Sequence, residues 1–124
     1  MSYSVQENRL TSNAWDGLDA TPIAQSMAAS FTTLGIDVLY FDMGALQAVW
    51  TGTDSTTGVL SLETSLDNIN WCEESGSQVT VTEPACNQMY NITSYGQRYV
   101  RLKWTVGDAT AGVMDFRSVL KVRR

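Results

Sequence analysis

RYVRLKWTVGDATAGVMDFRSVLKVRR, residues 98–124, carries two runs with a side-chain period of two. In the first, Val100, Leu102, Trp104 and Val106 fall on one side of an extended chain, opposite Arg101, Lys103 and Thr105. In the second, Met114, Phe116, Leu120 and Val122 fall on one side, opposite Asp115, Arg117, Lys121 and Arg123. That period is the signature of a half-buried strand, because successive Cβ atoms of a strand point to opposite faces, whereas a helix repeats every 3.6 residues. The break between the runs, Gly107 to Thr110, is short enough for an antiparallel hairpin. The expectation is therefore a hairpin with large apolar side chains turned to a core and cations projecting from adjacent strands.

Working back from this segment, turn signals recur at short intervals between β-rich runs, the spacing of an all-β sandwich or barrel. Strands are expected near 26–32, 37–43, 46–51, 58–65, 70–73, 78–82, 89–93, 98–106 and 111–122. Breaks are expected at Gly35, Gly44, Thr53 to Thr57, Asp67 and Asn68, Gly76, Pro84, Gly96, and Gly107 to Ala109. The reading is an antiparallel, jelly-roll-like β-sandwich of about eight strands over residues 23–124. Residues 1–22 are polar and hold no sustained period, although Trp15 and Leu18 could anchor part of them, so they read as an extended N-terminal arm.

A chain of 124 residues suits one domain, and 44% hydrophobic against 17% charged residues is enough apolar material to fold. The opening MSYSVQENRL lacks the basic-then-apolar order of a secretory signal, and no apolar run approaches a membrane span. The chain is accordingly expected to be made in the cytoplasm and to engage no membrane. The formal net charge of −5 is unevenly spread: residues 1–97 hold eleven acids and one base, Arg9, while residues 98–124 hold seven bases and two acids. A nucleic-acid binder is more often basic overall, since phosphate neutralisation drives its affinity. Opposite charge in the two parts points to protein partners or to pairing within the fold.

Arg101, Lys103, Arg117, Lys121 and Arg123 are the candidate protein-docking face. Like charges directly opposite on neighbouring strands are unfavourable unless acids intervene, so something acidic should lie nearby. That acid is either Asp115 or a neighbouring acidic strand within the fold, or an acidic surface of another subunit. Cys72 and Cys86 are the two cysteines, and their separation suits a cross-hairpin disulfide as well as two free thiols.

The chemistry of catalysis is thin. The chain has no histidine, which removes the commonest general base and transition-metal ligand. Two cysteines cannot close a four-thiolate zinc site, and no glycine pattern cradles a phosphate. Glu73 and Glu74 are adjacent and would point to opposite faces of a strand. Asp67, Asn68 and Asn70 could offer oxygens to calcium, but without the EF-hand spacing they read as a turn. No catalytic residue, cofactor or metal is assigned, and the chain is expected not to be an enzyme. Trp15, Trp50, Trp71 and Trp104 could stack on sugars as in a carbohydrate-binding module; Trp50 and Trp104 read as core, leaving Trp71 as the better candidate platform.

Three segments together carry a resemblance: ALQAVWTGTDSTTGVLSLETSLDNINW (45–71), RYVRLKWTVGDATAG (98–112) and the closing VMDFRSVLKVRR. They resemble a β-sandwich pattern recurrent in structural proteins of tailed bacteriophages. In that pattern an apolar strand ends in a Trp-Thr-Gly turn, a Gly-initiated strand and a Ser-x-Asp-Gly-x-x-Trp turn follow, and a late Tyr-Val-Arg strand enters a Gly-rich hairpin. Asn68 stands where the pattern has Gly, and Asn also tolerates a left-handed backbone. The resemblance covers about two thirds of the chain. It implies a non-enzymatic virion protein, foremost a decoration or cement protein on the capsid surface that binds the major capsid protein and reinforces contacts between capsomers. Such proteins often form homo-oligomers, with a trimer favoured. The alternatives are a tail, neck or head-fibre component, or a carbohydrate-binding sandwich.

Overall fold

The computed structural model describes residues 3–6, 25–33, 35–39, 43–92 and 98–123, with the side chains of 3–6 and 121–123 left aside. Among them are eleven strands and no helix: β1 (Tyr3–Gln6), β2 (Gln25–Ser26), β3 (Phe31–Thr32), β4 (Ile36–Asp37), β5 (Met43–Thr51), β6 (Gly58–Ser65), β7 (Cys72–Glu73), β8 (Val79–Val81), β9 (Cys86–Ile92), β10 (Tyr99–Thr105) and β11 (Val113–Arg123). Trp15, Leu18 and most of the expected arm lie outside the described residues, as do the expected strand ends at 40–42 and Thr93.

All pairings are antiparallel, and they build two sheets. In one, β11 lies between β5 and the pair β1 and β2, and β9 adds to the far side of β5. In the other, β10 lies between β6 and the pair β3 and β4, while β7 and β8 add to the far side of β6. Counting each of β1/β2, β3/β4 and β7/β8 as one interrupted strand leaves eight strand positions. The first pairs with the last, the second with the seventh, the third with the sixth and the fourth with the fifth, which is the wrapped hairpin of a jelly roll.

This topology corrects the expected terminal hairpin. β10 and β11 do not pair; they lie in opposite sheets, and Gly107–Gly112 carries the chain across the sandwich. The reason is the size of their inward side chains. Side by side in one sheet, both apolar rows would need a separate cover. Stacked in facing sheets they cover each other: Val100, Leu102 and Trp104 are fully buried, as is Met114, with Phe116 and Leu120 nearly so. At roughly 1.5 to 3 kcal/mol for each large side chain withdrawn from water, this face-to-face arrangement is a major part of the core.

The expected strand 26–32 is likewise a crossing. Gln25 and Ser26 pair with β11, Phe31 and Thr32 pair with β10, and residues 27–30 pass between the sheets. The backbone N–H of Met27 donates to Gly112 O at 2.9 Å, and Val106 N donates to Ser30 Oγ at 2.9 Å. Conversely, the expected break at Gly44 does not occur, because β5 runs through it with partners on both sides, Leu120 and Ile92. The core is closed by Phe31 meeting Phe116 edge-to-face at 5.7 Å and by Trp104, whose Nε1–H donates to Met27 O at 3.0 Å.

Candidate docking surfaces and the paired arches

Separating β10 from β11 divides the candidate cations. Arg101 and Lys103 project from the outer face of the β10 sheet, and Arg117 is exposed on the outer face of the β11 sheet. Lys121 and Arg123 continue β11, opposite Val5 and Tyr3 in register. The structure therefore brings Arg101 and Lys103 together and sets Arg117 on the opposite side of the molecule.

With β10 and β11 in different sheets, their cations do not face each other, but Arg101 still has an acid beside it, on a neighbouring strand of its own sheet. Its register partner on β6 is Glu63, and Arg101 Nε donates to Glu63 Oε1 at 2.8 Å. Glu63 is itself mostly buried on this outer face, at 7% exposure. The guanidinium also lies 4.1 Å from the centre of the Trp71 ring, a cation–π contact. A second pair, Arg98 with Asp37 at 3.0 Å, lies nearby and is more exposed, and its hydrogen bond holds the Asp37 carboxyl below the usual aspartate range. Of the two candidate docking cations on this face, Arg101 is thus fixed in place and electrically compensated, leaving Lys103 as the freer charge.

The aromatic residues resolve into different roles. Trp50 and Trp104 are core residues, and Trp50 Nε1–H donates to Glu83 O at 3.1 Å. Trp71 is half-buried, with Arg101 over its ring and no room for a Cβ at Gly35, where the added atom would stand 2.9 Å from the indole edge. A cleft of 160 Å³ lined by Trp50, Val79, Thr82, Glu83 and Cys86 opens between β8 and β9, below the size of an ordinary small-molecule pocket. No cluster of three or more metal-ligating side chains occurs among the described residues. Asp67, Asn68 and Asn70 form a turn. Asp67 accepts the backbone N–H groups of Asn70 and Ile69 and the Asn70 amide, which hold its carboxyl well below the usual range, and Asn68 takes the left-handed backbone at φ 61°.

Cys72 and Cys86 are free and exposed. Cys72 lies on β7 opposite Thr64 and Cys86 on β9 opposite Trp50, so the two stand on different sheets and at opposite ends of the sandwich. The disulfide considered between them is not formed.

One constellation escaped the sequence reading. Residues 50–58 and 104–112, WTGTDSTTG and WTVGDATAG, are a repeat sharing Trp, Thr, Asp, Thr and Gly at the same spacing. Each segment arches between the sheets, in opposite directions, and each Asp binds the other arch. Asp108 accepts Thr56 N at 2.8 Å, Thr57 N at 3.0 Å and the Thr56 hydroxyl. Asp54 accepts Thr110 N at 2.7 Å, Ala111 N at 3.2 Å and the Thr110 hydroxyl. These bonds, the threonine hydroxyl first in each case, lower the titration of both carboxyls. The strands obey the same two-fold relation: Trp50 pairs with Met114 as Trp104 pairs with Leu60. The shared glycines admit close approach, since a Cβ at Gly58 would enter the Trp104 ring and one at Gly112, φ 120°, would stand 2.7 Å from Thr53 Cβ.

Comparison with protein-family models and with curated proteins returns no match. Among solved structures the chain is similar to the PBSX exported protein XepA, at 17% identity and a TM-score of 0.54, covering 91% of this chain and 39% of that one. The likeness is one of fold. The chain also aligns with TmCBM61, solved in complex with β-1,4-galactotriose, at 10% identity and a TM-score of 0.42, covering 98% of this chain and 88% of that one. A third alignment is with Xylanase10C from Cellvibrio japonicus, in complex with xylopentaose, at 11% identity and a TM-score of 0.44, covering 98% of this chain and 27% of that one.

Proposed function

We propose that this chain is a non-enzymatic structural protein of a bacteriophage virion, a decoration or cement module that sits on the outer surface of the capsid and joins neighbouring capsomers. The observation that carries the reading is the back-to-back placement of β10 and β11, which turns cations outward on both faces of one rigid sandwich. A protein that reinforces a shell must touch two neighbours at once. Lys103 beside the fixed Arg101 addresses one acidic surface, and Arg117 addresses another on the opposite side. The resemblance of residues 45–71 and 98–124 to tailed-phage sandwiches supports this reading, and the fold shared with the exported protein of phage PBSX is in keeping with it. Under this proposal the partners are the major capsid protein and other copies of this chain, with neither nucleic acid nor membrane engaged, and the protein is made in the host cytoplasm.

Cryo-electron microscopy of purified particles tests the proposal: density for the sandwich is expected on the outer capsid surface, and its absence there overturns the decoration role. Lys103→Glu and Arg117→Glu should each weaken particle binding, by about tenfold for a reversed charge at the margin of an interface, with folding retained. Wild-type binding by either variant would mean that its face does not dock.

A further inference from the structure

Among the described residues, three of the four sheet edges consist of short pieces: β1 with β2, β3 with β4, and β7 with β8. Short edge strands are one of the devices by which β proteins avoid pairing with other chains, along with charges and proline. The fourth edge, β9, has none of these. It runs unbroken from Cys86 to Ile92, CNQMYNI, without a charge, a proline or a glycine, and among the described residues it pairs with β5 alone. Met89 on its outer face is 44% exposed, flanked by the exposed Asn87 and Asn91.

We propose that β9 is the contact through which two copies of this chain associate, joined edge to edge in an antiparallel pair about a two-fold axis at Met89. Such a contact must be self-complementary, because each residue i that meets j is matched by j meeting i. The outward residues satisfy that condition: Asn-x-Met-x-Asn reads the same in both directions. Centred on Met89, the pairing sets Met89 against its own copy and each Asn87 against Asn91 of the other, apolar on apolar and amide on amide. Charge favours this edge over the β3/β4 and β7/β8 edges, which carry Asp37 and Glu73, and length favours it over the uncharged β1/β2 edge, whose described pieces are four and two residues. In a chain of net charge −5, an edge without ionised groups is where a second copy approaches without like charges facing each other. The result is one continuous sheet across two sandwiches. Because the contact is two-fold it generates pairs, whereas a trimer requires a head-to-tail contact. The inference is independent of the virion assignment and is tested without particles.

Sedimentation of the full chain should show a two-chain species, with Met89→Leu associating like wild type. Met89→Lys, which sets two ammonium groups against each other at the axis, should raise the dissociation constant at least about tenfold while leaving the β circular dichroism unchanged. In a background with Cys72→Ser and Cys86→Ser, Met89→Cys should cross-link to itself on oxidation. Asn87→Cys and Asn91→Cys should cross-link when mixed, and neither should do so alone. A wild-type chain that is monomeric at its highest soluble concentration, a trimer, or a Met89→Lys variant that associates undiminished would each overturn the proposal.

Discussion

Trp104 shows how much one position determines. It is fully buried, its indole N–H is bonded to Met27 O, and the space beside it exists because residue 58 lacks a Cβ. Truncation removes the largest wholly buried side chain and leaves both a cavity and an orphaned carbonyl. Trp104→Ala is therefore predicted to destabilise the fold by about 3 to 5 kcal/mol. A chemical denaturation midpoint close to wild type would contradict the inward placement. Arg101 is the contrasting residue. Period-two alternation put it correctly on the outer face, and the cations expected on adjacent strands suggested a nearby acid, either Asp115 or one on a neighbouring strand. That the acid is Glu63 followed from neither, because it depends on which strand lies beside β10 and in what register. Alternation fixes the side a residue faces, and only pairing fixes what it faces.

At the scale of elements, the strands themselves were legible: 58–65 coincides with β6, and 98–106 and 111–122 differ from β10 and β11 by a residue or two. The connection between β10 and β11 was not legible in the same way. A short glycine-containing linker serves a hairpin and a crossing arch alike; the difference lies in whether the two apolar rows are better covered by each other or by something else. The signal in the sequence is the WTxxDxTxG repeat, since the same segment at two distant places suggests two arches of one kind. The clasp makes a prediction about acid. Both Asp54 and Asp108 are held below their ordinary value near 3.8 in the folded protein, chiefly by the threonine hydroxyls. The folded state then binds fewer protons than the unfolded state in that range, so the stabilisation is complete above about pH 5, starts to fall near the ordinary value, and is lost as pH drops through the lowered values. Thermal midpoints should be nearly level from neutral pH to about 5 and then decline. Asp54→Asn with Asp108→Asn should melt lower at neutral pH and show a shallower acid decline; Asp37 and Asp67, also lowered, supply the slope that remains. An unchanged acid profile in the double variant would show that the clasp contributes nothing.

For the whole molecule, the jelly-roll wrap converts separations in sequence into separations in space in a way that spacing along the chain does not disclose. Cys72 and Cys86 illustrate this, since a hairpin would have set them across from each other. The wrap instead puts Cys72 at the end of the sandwich where β6 finishes and Cys86 at the end where the arches cross, on sheets about 10 Å apart and on the order of 15 Å further along the strands. A disulfide needs Cα atoms within about 7 Å, so no rotamer change can join them while the sandwich is folded. Both thiols are exposed. The native chain should therefore react with two equivalents of a thiol reagent without denaturant. Oxidation should give only products that link separate chains, with no faster-migrating monomer on a non-reducing gel. An oxidised monomer in which both thiols are consumed without any added mass would require the two sheet edges to meet, and would refute the wrapped topology itself.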